Sequence, residues 1–263
     1  MSARFGDGIV YLVGAGPGDP GLLTVRGARL LEQAHVVVYD ALANPKLLSY
    51  CPQAETVYVG KRSSSHTMTQ DQINELLVKL GREGKRIVRL KGGDPYVFGR
   101  GGEEASACAE AGVPFEVIPG VSSAVAAPAL AGIPVTHRGL ASSFAVVTGH
   151  HEATYAPLLD GFPPGALTVV VLMGLGQRAR IAARLQARGW DPATPAAVIL
   201  GAATPQSWRW TGTLAALGDV ALPAESARAP GLLVIGAVVS LAAELSQGLS
   251  SLVPPVVNAE VLR

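Results

Sequence analysis

Short apolar runs alternate with stretches of helical periodicity along the first half of the chain. Ile9 to Val13, Val36 to Tyr39, Thr56 to Val59, Ile87 to Leu90 and Phe115 to Ile118 have strand length and are rich in β-branched residues. Helical patterns fall between them, from Leu22 to Gln33, from Thr69 onward, from Glu103 to Ala111 and from Ser122 to Leu130. The second is the clearest. Thr69 with Gln72 spells a capping box, Ile73, Leu76, Leu77 and Leu80 recur on one face, and Gly84 follows the last turn. Alternating strands and helices of this kind predict a mainly parallel sheet covered by helices.

The rhythm breaks at Gly132 to Gly139 and a second series begins. Strands are expected at Ser143 to Thr148, Leu167 to Leu172, Ala196 to Leu200 and Leu232 to Ile235, with a helix at Gln177 to Arg188 and an antiparallel hairpin around Trp208 to Leu214. The expected fold class is α/β, as two α/β domains over 1–135 and 136–248. The remaining 249–263, with Pro254 and Pro255, reads as a mobile tail.

Composition narrows the function classes. Hydrophobic residues make up 49% of the chain and charged residues 16%, which excludes disorder. The longest apolar run, Ala166 to Leu175, is too short to cross a bilayer. Arg4 and Asp7 lead into a glycine-rich turn, not a secretory pattern. Cys51 and Cys108 match no metal or redox spacing, and His137, His150 and His151 have no third ligand spaced for a metal. A cytoplasmic protein with free thiols and no metal is expected. A net charge of +1 argues against a general nucleic-acid or membrane-surface binder. Lys61, Arg62, Arg86, Arg89, Lys91, Arg100 and Arg138 each read as solvated surface in isolation, but their placement beside glycine-rich strand ends suits an anionic ligand.

The richest such segment is Gly92 to Glu104, with five glycines, one proline and four charged residues between a strand and a helix. The carboxyl ends of parallel strands are where open α/β sheets bind small molecules, and glycines let a main chain approach a ligand. Gly14 to Gly21 holds the position of a dinucleotide fingerprint, and Asp40 stands where a dehydrogenase would hold a ribose; Pro17 and Pro20, which lack N–H donors, argue against that use. Asp40 is open to a second role, accepting a proton or positioning a substrate. Lys61 ends a strand in the same way. Ser122 suits either a helix cap or a ligand contact, and Met173, ahead of Gly174, suits either core packing or a ligand.

The order Val13-Gly14-Ala15-Gly16-Pro17-Gly18-Asp19-Pro20, Val38-Tyr39-Asp40, Val59-Gly60-Lys61-Arg62, Gly92 to Glu104, Pro119-Gly120-Val121-Ser122-Ser123, Gly132 to Arg138 and Met173-Gly174 resembles the uroporphyrinogen-III C-methyltransferase family of the tetrapyrrole methylase superfamily. The resemblance runs from Ile9 to about Leu245, and the Gly92 loop and Thr136-His137-Arg138 are its specific parts. Two positions depart from the commonest pattern: Ser122-Ser123 replaces threonine with serine or alanine, and Gly201-Ala202-Ala203 lacks the polar residues often found near the adenine. The length matches that expected of a stand-alone methylase without a fused oxidase and chelatase module.

The resemblance implies an active-site cleft between the two domains. It places S-adenosylmethionine against Pro17, Gly92, Gly93, Asp94, Val97, Ser122, Ser123, Met173 and Ala202, with S-adenosylhomocysteine as product. It implies uroporphyrinogen III as substrate, bound by Arg100 and Arg138 and methylated on rings A and B to give precorrin-2 by way of precorrin-1, for siroheme or cobalamin. Asp40 as proton acceptor, Lys61 as proton donor and a homodimer come from the same resemblance. Other members of the superfamily act on other precorrins, on diphthine or on ribosomal RNA; near-neutral charge disfavours RNA, and the adenosylmethionine motifs disfavour a non-catalytic tetrapyrrole carrier.

Overall fold

The computed structural model describes residues 8–60, 68–226 and 229–249, so Lys61, Arg62 and the expected tail after Leu249 lie outside the described residues. The chain divides into two compact units, Met1–Ser123 and Ala124–Arg263.

The first unit holds β1 (Ile9–Gly14), α1 (Val25–Glu32), β2 (Val36–Tyr39), β3 (Glu55–Tyr58), α2 (Gln70–Arg82), β4 (Arg86–Lys91), α3 (Gly101–Glu110) and β5 (Phe115–Ile118). Its sheet has the order β3-β2-β4-β1-β5 and every pairing is parallel. Both faces are covered, as continuous apolar strands require. Val36, Val38 and Ile87 pack on one face with Leu77 of α2 and Cys108 of α3; Val37, Val88 and Leu90 pack on the other with Leu31 of α1. The capping box forms in both directions, with the Gln72 N–H donating to Thr69 Oγ1 at 3.3 Å and the Thr69 N–H to Gln72 Oε1 at 2.8 Å.

The second unit holds α4 (Ser123–Leu130), β6 (Phe144–Thr148), α5 (Glu152–Gly161), β7 (Thr168–Leu172), α6 (Arg178–Ala187), β8 (Pro195–Leu200), β9 (Trp208–Thr213), β10 (Gly231–Ile235) and α7 (Ala242–Leu249). The sheet order is β6-β7-β10-β8-β9. Strands β6 and β7 are parallel and β10 runs antiparallel to β7 and β8; the segment expected as a hairpin around Trp208 to Leu214 is instead the single strand β9, paired antiparallel with β8. Val169 and Val171 face Tyr155, Leu159, Ile181 and Trp190, while Val170 faces Ala127, Ile133 and Val238. Helix α5 escapes a reading by periodicity because Pro157 stands inside it. Its place is secured by buried Tyr155 and Leu159 and by Arg184 of α6, which forks onto Asp160 with both bonds at 2.7 Å.

Candidate active site

Sheet order decides which loops meet. In the first unit β4, β1 and β5 are neighbours, so the loops that follow them emerge side by side. From the adjacent β1 and β4 the chain leaves to helices on opposite faces, α1 on the Leu31 side and α3 on the Cys108 side, which opens a crevice at the strand ends.

The β1 and β4 loops are stitched backbone to backbone. Gly16 and Gly93 exchange hydrogen bonds of 3.2 and 2.7 Å, and the Ala15 N–H donates to Lys91 O at 2.7 Å. A Cβ on Gly120 would stand 2.3 Å from Gly93 O and 2.6 Å from Gly14 Cα, so no side chain fits. Asp94 fastens the same junction: its Oδ2 accepts from the Gly120 N–H at 3.0 Å and its Oδ1 from the Tyr96 N–H at 2.8 Å. Gly93 has φ +68°, and a Cβ there would lie 3.8 to 4.0 Å from Ser122 and Ser123. Gly92, Gly93, Asp94, Ser122 and Ser123 are thus gathered at one sheet edge, with Pro17 on the adjoining β1 loop.

Beyond Asp94 the chain turns outward. Tyr96, Val97 and Phe98 are exposed, and Phe98 and Arg100 hold left-handed φ of 51° and 59°. Arg100 occupies the N-cap position of α3 without a side-chain capping bond and grips Glu103 with bonds of 2.8 and 2.7 Å. That bond lowers the Glu103 pKa and raises that of Arg100, with desolvation opposing it in both.

Asp40 follows β2 with both oxygens engaged, Oδ1 by the Leu42 N–H at 3.1 Å and Oδ2 by Arg89 Nη2 at 3.0 Å. Arg89 and Lys91 are not solvated surface: their relative exposures are 3% and 4%, because both point to the α3 face of the sheet and meet Glu104 there. Sequence reasoning missed Glu104 and Glu103 as partners; the available signals were the two-residue spacing of Arg89 and Lys91 and the three-residue spacing of Arg100 and Glu103.

In the second unit the carboxyl ends of β6, β7 and β8 share an edge, since β7 and β8 both run against β10. Met173 follows β7, half exposed and left-handed at φ 56°, and Ala202 lies between Gly201 at φ 53° and Ala203 at φ 62°. A non-glycine residue in this conformation is strained by roughly 1 to 2 kcal/mol, and Met173 and Ala203 both adopt it at this edge. Arg138 is exposed at the tip of a small hairpin closed by His137 and Ala141. Among the described residues no group of three or more His, Cys, Asp or Glu could hold a metal ion, and no helix is long and apolar enough to cross a membrane.

A family model described as Tetrapyrrole (Corrin/Porphyrin) Methylases matches residues 9–218. The chain belongs to the tetrapyrrole methylases. This methylase is 49% identical over 242 residues to the siroheme synthase of Pseudomonas putida strain F1, covering 91% of the chain and 52% of that protein. It spans about half the length of the curated relatives it matches. Among solved structures it is similar to a uroporphyrin-III C-methyl transferase from Thermus thermophilus complexed with S-adenyl homocysteine, at 43% identity and a TM-score of 0.74, covering 89% of this methylase and 100% of that chain. The cobalt precorrin-4 methyltransferase CbiF is 27% identical with a TM-score of 0.76, over 88% of the methylase and 95% of that chain. The two-sheet α/β architecture is therefore that of the family.

Proposed function

We propose that this chain transfers methyl groups from S-adenosylmethionine to carbon atoms of uroporphyrinogen III. The observation that carries the reading is the glycine junction of Gly14, Gly93 and Gly120 at one sheet edge, in a chain that covers the whole of the Thermus methyltransferase structure bound to S-adenyl homocysteine. The cradle suits the cofactor: no Cβ stands on Gly93 to fill the space before Ser122 and Ser123, and small polar groups there match a methionine carboxylate, ammonium and ribose.

Pro17, Gly92, Gly93, Asp94, Ser122 and Ser123 are the cofactor contacts proposed in the first unit, with Val97 giving apolar contact; Met173 and Ala202 are those proposed in the second. Asp94 already spends both carboxylate oxygens on backbone donors, so its contribution is to hold the Gly120 junction in shape. Bound S-adenosylmethionine supplies an electrophilic methyl on sulfur, and the chain's task is to orient the two reactants and exclude water.

The substrate carries eight carboxylates, and Arg100 and Arg138 are the cations proposed to meet them. Loss of a proton from the methylated macrocycle is assigned to Asp40, which Arg89 keeps in place, and Lys61 is the proposed donor. The finer reading is addition of two methyls, on rings A and B, giving precorrin-1 and then precorrin-2. A cytoplasmic homodimer belongs to the same proposal, and sedimentation would test its assembly.

Anaerobic incubation with uroporphyrinogen III and methyl-labelled S-adenosylmethionine, followed by mass analysis of the tetrapyrrole, tests the function. Two added methyls are expected. One would restrict the chain to mono-methylation, no transfer despite cofactor binding would redirect the search to other corrinoid substrates, and no cofactor binding would end the methyltransferase reading.

A further inference from the structure

Four charges lie together below the Gly92 loop, and the proposed ligand contacts account for only one of them. Period-two alternation puts Arg89 and Lys91 of β4 on the sheet face covered by α2 and α3, where Asp40 also turns from the end of β2 and Glu104 enters from the first turn of α3. Arg89 stands at the centre. Its Nη2 donates to Asp40 Oδ2 at 3.0 Å, its Nε to Glu104 Oε1 at 2.9 Å and its Nη1 to Leu90 O at 3.2 Å. Glu104 Oε1 also accepts from Lys91 Nζ at 3.0 Å and from Gln70 Nε2 at 3.3 Å.

Side-chain exposure is 3% for Arg89, 5% for Lys91 and 0% for Glu104, against 24% for Asp40. Glu104 Oε2 is buried with no hydrogen-bond partner among the described residues. Such a cluster is a poor device for stability, because desolvation of buried ions offsets their attraction and an orphaned oxygen adds to the penalty. Apolar side chains of similar volume would serve the core as well. What ions add is direction: a guanidinium held in plane by one carboxylate presents its other nitrogen at a fixed point. Here that point is the Asp40 carboxylate. The bracing carboxylate, Glu104, adjoins the Arg100–Glu103 pair in the same helical turn.

We propose that Arg89 is a positioning residue for methyl transfer: braced by Glu104 and Lys91, it fixes the Asp40 carboxylate and ties it to the turn of α3 that carries Arg100. This rests on the reading of Asp40 and Arg100 as substrate-facing groups. It assigns the buried ions to geometry, so turnover and stability separate when the cluster is replaced.

The test is a triple variant with an apolar cluster, Arg89→Met with Lys91→Met and Glu104→Leu, compared with the wild type and with Asp40→Asn in each background. The thermal midpoint of the triple variant is expected at or above that of the wild type. Its kcat is expected to fall at least about tenfold while KM for uroporphyrinogen III and Kd for S-adenosylmethionine stay within about twofold, and Asp40→Asn is expected to lower kcat strongly in the wild type but by no more than about twofold in the triple variant. If the triple variant does not fold, Arg89→Lys, which keeps the charge but cannot span both carboxylates, is read by the kinetic and double-variant criteria alone. An active wild type with an equally active variant overturns the inference. So does a change confined to KM, a silent Asp40→Asn in the wild type, or an Asp40→Asn effect of equal size in both backgrounds. A wild type that transfers no methyl removes the functional reading, and the inference falls with it.

Discussion

Arg100 and Glu103 form a two-pronged ion pair across the first turn of α3, Nε to Oε1 at 2.8 Å and Nη2 to Oε2 at 2.7 Å, with both side chains more than half exposed. An exposed pair of this kind contributes little to folding, since water screens it and two long side chains must be ordered to make it. On the proposed function, it holds a cation in the Gly92 loop with a partner that a substrate carboxylate can replace. Arg100→Ala is accordingly expected to change the unfolding free energy by less than about 1 kcal/mol. The same substitution should raise KM for uroporphyrinogen III about tenfold or more. Its Kd for S-adenosylmethionine should not move. Denaturant titration, steady-state kinetics and calorimetry together check this; a KM within about twofold of the wild type would remove Arg100 from the substrate contacts.

Two glycines in the same region separate packing from propensity. A Cβ on Gly120 would meet backbone atoms of Gly93 and Gly14 at 2.3 and 2.6 Å, and neither loop can yield without breaking the Asp94 bridge. Gly120→Ala should therefore destabilise by at least about 1 to 3 kcal/mol and weaken cofactor binding. Gly102, in the exposed first turn of α3, has open space for at least 4 Å around the place a Cβ would take. Gly102→Ala should be neutral or stabilise by up to about 1 kcal/mol. Denaturation midpoints of the two variants, run side by side, decide it; equal effects would mean that the junction is not close-packed.

Cys108 gives a pH dependence. Burial, with the Glu104 carboxylate adding to it, pushes its pKa from 9.0 to about 11. Between those values the folded chain holds a proton that the unfolded chain releases, so this thiol's contribution to stability is constant below about pH 9 and is lost as pH rises toward 11. The full loss attributable to this thiol is on the order of 2 to 3 kcal/mol. Cys108→Ala should flatten that limb relative to the wild type, and in the native state the thiol should resist alkylation at pH 8. Denaturant midpoints measured from pH 7 to 11 on both proteins check the sign; parallel profiles would contradict it.

Legibility followed the range of the interactions. The Thr69–Gln72 box and the strands of the first sheet were readable because their causes lie within a few residues, in cap chemistry and in buried parallel strands. The gathering of Gly14, Gly93 and Gly120 was visible as three glycine loops, but their mutual contact depends on the order β4-β1-β5, which no local pattern encodes. Arg89 and Lys91 looked like surface cations because their neutralising partners, Asp40 and Glu104, come from elsewhere in the chain. Glu104 itself lies in the first turn of α3, where an acid complements the helix dipole at the surface, yet it is fully buried and meets Arg89 and Lys91. Helix α5 was hidden by Pro157, and tertiary burial of Tyr155 and Leu159 overrode that local signal.

Met173 offers the sharpest separation of site from scaffold. The residue is 50% exposed and its backbone is left-handed at φ 56°, a conformation that glycine adopts freely. Packing alone therefore gives no reason for a methionine at the end of β7. Met173→Gly relieves backbone strain while enlarging the freedom of the unfolded chain, so its stability change should stay within about 1 kcal/mol. If the thioether side chain lies against the cofactor, the same change should weaken S-adenosylmethionine binding several-fold, whereas Met173→Leu, which restores apolar contact with the same strain, should recover most of it. Calorimetric titration and thermal melting on the two variants measure both effects. Unaltered binding in Met173→Gly would assign the strained turn to the scaffold and take Met173 out of the cofactor site.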